Sequence, residues 1–190
     1  MIITDTHTHL YSESFDSDRD QIIKRAIQSG ITRFFVPAID SSYTQRMYDL
    51  EKKYPENIFL MTGLHPTHVN NDYNKELDHI VQQLDDREFF AIGEIGIDLH
   101  WDKTTLELQQ NAFRFQIQLA KKYKLPIVIH CRDAFNEVFD DHHPHNLPKR
   151  FKHLTDIVNL LRDNPKLSKS MQQKDDEKIE NYKKANDHLH

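Results

Sequence analysis

Short apolar runs alternate with longer amphipathic segments over the first part of this chain, the pattern of βα units around a parallel sheet. Five runs predict strands: Ile2 to Thr8, Arg33 to Ile39, Ile58 to Gly63, Phe89 to Ile95 and Pro126 to His130. Each is dominated by Ile, Val, Phe and other apolar residues, as strands covered on both faces require. Four helices separate them. The first follows Asp16-Ser17 as a cap candidate and stops at Gly30, and the second follows Ser41-Ser42 and ends near Pro55. Ile22, Ile23, Ala26 and Ile27 recur at helical intervals, and the long segment Leu106 to Tyr123 sets Leu108, Ala112, Phe115 and Leu119 on one stripe.

Around residue 140 the text changes. All four glycines (Gly30, Gly63, Gly93, Gly96) lie before it, and a histidine- and lysine-rich stretch opens at Asp141-His142-His143-Pro144-His145 with no strand pattern after it. Phe151 to Arg162 predicts one amphipathic helix through Leu154, Ile157, Val158 and Leu161, whereas Ser168 to His190 is almost wholly polar and predicts frayed helix or disorder. The expected organisation is a partial α/β barrel over residues 1–140 and a charged, histidine-rich, helical or disordered tail over 141–190. At 190 residues the chain falls short of the roughly 250 of a complete eight-stranded α/β barrel.

Composition narrows the setting. A hydrophobic content of 37%, a charged content of 29% and a mean hydropathy of -0.75 describe a globular protein with a wet surface. Cys131 is the single cysteine, which excludes an intrachain disulfide framework. No charged-then-apolar leader and no run of about 18 apolar residues is present, so the expectation is a reducing cytoplasm and no membrane segment. A net charge of -5 argues against a broad basic nucleic-acid surface. It leaves room for a nucleic-acid substrate held locally, because a metal ion in a site outweighs diffuse surface acidity.

The candidate chemistry sits at the strand ends. His7 and His9 follow the first apolar run at i, i+2, a spacing that puts both imidazoles on one face of an extended strand and makes a bidentate metal site. The run Ala91 to Asp98 ends its strand in Glu94, flanked by Gly93 and Gly96, where a carboxylate could bridge two ions. Asp98 either orients a ligand or caps the helix beginning near Thr104. Pro126 to His130 brings His130 to the same end. Cys131 alternates to the other side and is expected to pack as a small buried hydrophobe. Arg132 offers a planar fork for phosphate or pairs with Asp133 or another acid. His65, in Gly63-Leu64-His65-Pro66, closes the third strand as a hydrogen-bonding group or a turn residue. His68 and His100 are expected in loops, and Trp101 is expected to cover the barrel mouth rather than form a dedicated base-stacking site.

Thr6-His7-Thr8-His9, Gly63-Leu64-His65-Pro66, Gly93-Glu94-Ile95-Gly96-Ile97-Asp98 and His130-Cys131-Arg132-Asp133-Ala134, in this order, resemble the TatD family of metal-dependent hydrolases over residues 1 to about 139. The resemblance implies an α/β fold with a partial (βα) TIM-type barrel of about five strands. It also implies a hydrolase with one or two divalent ions (Mg, Mn or Zn), acting on phosphodiester bonds as a deoxyribonuclease. DNA or another phosphoester is then the substrate. On this resemblance His7 and His9 bind one ion, Glu94 bridges, and His130 binds the second, with Glu94 and His130 catalytic. His65 and Arg132 hold the substrate phosphate.

Two further family ligands, a histidine in an HCF-type strand end and an aspartate in a TDSP-type strand end, have no counterpart in this sequence, leaving four of the usual six. The expectation is a truncated or frameshifted chain whose activity is limited by loss of the C-terminal half of the site. Open edges on the first and fifth strands predict self-association. Two alternatives stand beside this reading: a non-catalytic metal-binding or interaction module, and another amidohydrolase or PHP-type phosphoesterase. The latter shares the His-x-His strand but not the Gly-Glu-Ile-Gly-Ile-Asp block.

Overall fold

Alternating apolar positions force the strands into a sheet with two unlike faces, as a computed structural model describing residues 3–139 shows. The five strands are all parallel, in the order β1 to β5: β1 (Ile3–Asp5), β2 (Ile31–Val36), β3 (Ile58–Thr62), β4 (Ala91–Asp98) and β5 (Ile127–Arg132). Between them run α1 (Arg19–Gln28), α2 (Thr44–Lys53), α3 (Tyr73–Asp86) and α4 (Leu106–Tyr123), and a short α5 (Phe135–Phe139) follows β5. This is half of a parallel barrel with its helices outside. The segment 141–190, with its expected helix at Phe151 to Arg162, lies outside the described residues.

The pairing Phe34↔Ile58, Phe35↔Phe59 and Val36↔Leu60 sorts the side chains. Phe34, Val36, Ile58 and Leu60 are buried, whereas Phe35 and Phe59 stack on the opposite face at 5.3 Å with Phe90 edge-on to both. β4 is buried at all eight positions, as the central covered strand of a barrel should be.

Element boundaries depart from the sequence expectation for local reasons. β1 ends at Asp5 rather than Thr8, because the His7 N–H turns back to Asp5 Oδ1 (3.1 Å), although Thr8 N still reaches Phe35 O (3.1 Å). β2 stops at Val36, before Pro37, which has no N–H to give the ladder. α4 has the expected ends, and of its expected stripe Ala112 and Leu119 are buried, whereas Phe115 is 40% exposed and Phe113, with Gln109 and Gln116, turns inward. Cys131 is exposed, contrary to the buried packing expected of it. β5 is an outer strand, and among the described residues only the five-residue α5 follows it, so its far face lacks the long helix that covers β4.

The C-terminal ends of the strands converge. Ala38 N donates to Gly93 O (3.0 Å), Glu94 N to Ala38 O (3.2 Å) and His65 N to Ile39 O (2.8 Å). Two glycines permit this. A Cβ at Gly96, whose φ is +145°, would lie 2.0 Å from the His130 carbonyl oxygen, and one at Gly63 would lie 2.9 Å from the Gly93 backbone. Among the described residues no helix is long and apolar enough to cross a membrane.

Candidate metal centre

Glu94 projects from the middle of β4 into this convergence, is only 8% exposed, and divides its two oxygens between groups of imidazoles. Oε2 lies 3.0 Å from His7 Nε2, 3.7 Å from His9 Nε2 and 3.8 Å from His65 Nε2, and Oε1 lies 3.0 Å from His130 Nδ1. Five of the six residues singled out for metal or phosphate, His7, His9, His65, Glu94 and His130, thus meet around one carboxylate. Arg132 stands outside the cluster, exposed, with its guanidinium 5.3 Å from the Trp101 ring.

The electrostatics follow from this arrangement. Burial pushes the Glu94 carboxyl up, but hydrogen bonds from His130 and His7 outweigh it and hold the group well below the usual carboxylate range. The same bonds raise His7 and His130 above the ordinary histidine value, with Asp98 adding to the effect at His130. Burial lowers His65 to about 4, so at neutral pH its ring is uncharged.

Neighbours fix the ring orientations. The single Tyr11 hydroxyl proton goes to Pro37 O (2.8 Å), so toward His9 Nδ1 (2.8 Å) that oxygen accepts, Nδ1 carries the hydrogen, and Nε2 faces Glu94 with its lone pair. His65 is set the other way: its Nδ1 accepts the Thr67 N–H (3.2 Å), which leaves the hydrogen on Nε2. Asp98 Oδ2 meets His130 Nε2 at 2.8 Å, while Oδ1 accepts the N–H groups of His100 (2.9 Å) and Trp101 (3.4 Å). Of the two readings of Asp98, the structure therefore supports ligand orientation. The residue preceding α4 is Thr105.

Two buried glutamines of α4 clamp the backbone that carries these groups. Gln109 bonds both N and O of Asp98 (2.8 and 3.0 Å), and Gln116 bonds both N and O of Leu64 (2.7 and 3.3 Å), next to His65. Sequence reasoning missed these two and Tyr11. Their signals were spacing alone: i, i+7 for the glutamines and i, i+2 for His9 and Tyr11. His68 and His100 are loop residues as expected, paired with Asp40 (2.6 Å) and Asp133 (2.9 Å). Trp101 is 73% exposed, on a turn whose N–H Asp98 Oδ1 accepts (3.4 Å).

Two trios, His7-His9-Glu94 and His65-Glu94-His130, each hold their donor atoms within 4.8 Å of one another. Imidazole nitrogens around an ionised carboxylate suit Zn better than Mg, which favours oxygen donors. The residues present therefore fit a divalent ion. A family model described as "TatD related DNase" matches residues 4–164. The chain belongs to the TatD family. It is 36% identical over 137 residues to an uncharacterized metal-dependent hydrolase, YabD, of Bacillus subtilis, covering 72% of this chain and 53% of that protein. It is 33% identical over 131 residues to the 3'-5' ssDNA/RNA exonuclease TatD of Dickeya dadantii, covering 68% and 49%. The crystal structure of the TatD homolog YjjV from Escherichia coli superposes with a TM-score of 0.70 at 28% identity, over 83% of this chain and 65% of that one. This TatD chain spans about half the length of the curated relatives it matches.

Proposed function

We propose that this TatD chain hydrolyses phosphodiester bonds of nucleic acid with the help of one or two divalent ions. The observation that carries the reading is the Glu94 carboxylate shared between two sets of imidazoles. His7, His9 and Glu94 would hold one ion, and Glu94 and His130 the second. Ions bound there would acidify a water and neutralise charge on the phosphoryl oxygens. The chain's own residues supply the rest. Glu94, kept ionised, orients the attacking water, and His130, braced by Asp98, keeps Glu94 in place. His65 presents Nε2–H as a donor to a phosphoryl oxygen, and Arg132 offers its fork to a phosphate further along.

The Dickeya relative is named for single-stranded DNA and RNA, which supports a nucleic-acid strand as substrate here. The test is release of nucleotides from a 3′-labelled single-stranded oligonucleotide with Mn²⁺ or Zn²⁺. Hydrolysis that disappears in Glu94→Gln and His7→Ala is the expected result. Metal binding by the wild type without any cleavage would leave the non-catalytic metal-binding module in its place. We infer further that β1 and β5, the outer strands among the described residues, pair between copies. Sedimentation showing only monomer removes that inference. The single Cys131 supports a reducing, cytoplasmic setting.

A further inference from the structure

The chain has one tryptophan, and it stands 73% exposed beside the candidate centre. A large indole left in water on a fixed turn is the unusual observation. Asp98 Oδ1 accepts the His100 and Trp101 N–H groups, and Oδ2 of the same carboxylate meets His130. The turn and the metal-side histidine are therefore anchored to one group. His100 packs edge-on against the indole at 4.8 Å, and the Arg132 guanidinium lies 5.3 Å from its centroid. The register Gly96↔His130 and Asp98↔Arg132 puts Arg132 one same-face step beyond His130 on β5. Asp133, one of the acids that could have paired with Arg132, meets His100 Nδ1 (2.9 Å).

We propose that Trp101 and Arg132 form a stacking ledge for one base of a single strand, with Arg132 on the phosphate next to the one at Glu94. An exposed indole with a guanidinium beside it offers a π face and a cation to the two parts every nucleotide has. A duplex base is already stacked and paired, so the ledge selects single strands without selecting sequence. The ledge deepens the hydrolase reading and rests on it for the position of the phosphate. Its own chemistry is binding.

The lone tryptophan makes the test direct. The full-length Glu94→Gln variant, which cannot turn over, is titrated with a short oligothymidylate and with an abasic strand of the same length while tryptophan emission is followed. Saturable quenching by the thymidylate and little by the abasic strand is expected. In the active chain, Trp101→Ala raises KM for oligothymidylate on the order of tenfold, the worth of one stacked base. Its kcat stays within about twofold, as for an interaction made equally in the bound and transition states. Trp101→Phe, which keeps a ring, recovers most of the lost affinity. Absence of quenching, equal quenching by both strands, or an unchanged KM in Trp101→Ala overturns the ledge. Quenching without hydrolysis by the wild type upholds the ledge and removes the hydrolase reading, and hydrolysis without quenching does the reverse.

Discussion

At the scale of single residues, the site depends on which nitrogen of each ring carries hydrogen. Tyr11 decides this for His9, because its only proton is committed to Pro37 O and its oxygen can then only accept from Nδ1. Tyr11→Phe deletes that acceptor and leaves the ring packing of a fully buried side chain intact. Zinc or manganese affinity should weaken by about 10- to 100-fold, the usual effect of losing a partner behind a ligating histidine. Titration calorimetry reads this, and unchanged affinity would show that His9 needs no such orientation. His7, His9, Glu94 and His130 were legible in the sequence because each lies in or just beyond an apolar run, so the chain announces their position. Tyr11 was not legible, since nothing local marks its hydroxyl, whose partner lies 26 residues away.

At the scale of elements, helix ends were easier to foresee than helix faces. α4 has the expected bounds because Tyr123 is followed by Lys124 in a left-handed conformation and then by Leu125-Pro126, a local stop. Its expected stripe failed at Phe115 because Gln109 and Gln116, polar by type, share the buried face with Ala112 and Leu119. The apolar stripe drawn through Phe115 had to avoid them. Each glutamine makes two hydrogen bonds to strand backbone, worth about 1 kcal/mol apiece net, and replacing it would leave buried backbone groups unmet. A helix that looked like simple packing is thus also the clamp on Asp98 and Leu64. The strands failed in the complementary way: their order and central residues were readable from apolar runs, but their ends were set by Asp5 and Pro37 acting locally.

At the scale of the molecule, the centre ties the ends of β1, β4 and β5 together, so its ionisation bears on the stability of the whole folded unit. In a chelator, His7 and His130 keep their protons above the ordinary histidine value of about 6.5. Their contribution is complete below that pH and is lost as pH rises through their raised folded values. His65 acts in the opposite sense. Burial lowers it to about 4, so between pH 6.5 and 4 the unfolded chain takes up the proton first and stability falls with falling pH. Below that, the lowered carboxylates Glu94, Asp98 and Asp40 lose their contributions as pH drops through their folded values. Metal-free stability should therefore peak near pH 6.5 and decline on both sides. A divalent ion must displace the protons of His7 and His130, so its stabilisation grows with pH, reaching about 2.7 kcal/mol at a hundredfold excess over Kd. Melting curves with and without Mn²⁺ should diverge above pH 6.5, the loaded protein gaining where the chelated one loses. His7→Ala should flatten the alkaline flank of the chelated curve and narrow the gap. Parallel curves across this range would mean that the imidazoles around Glu94 take no ion.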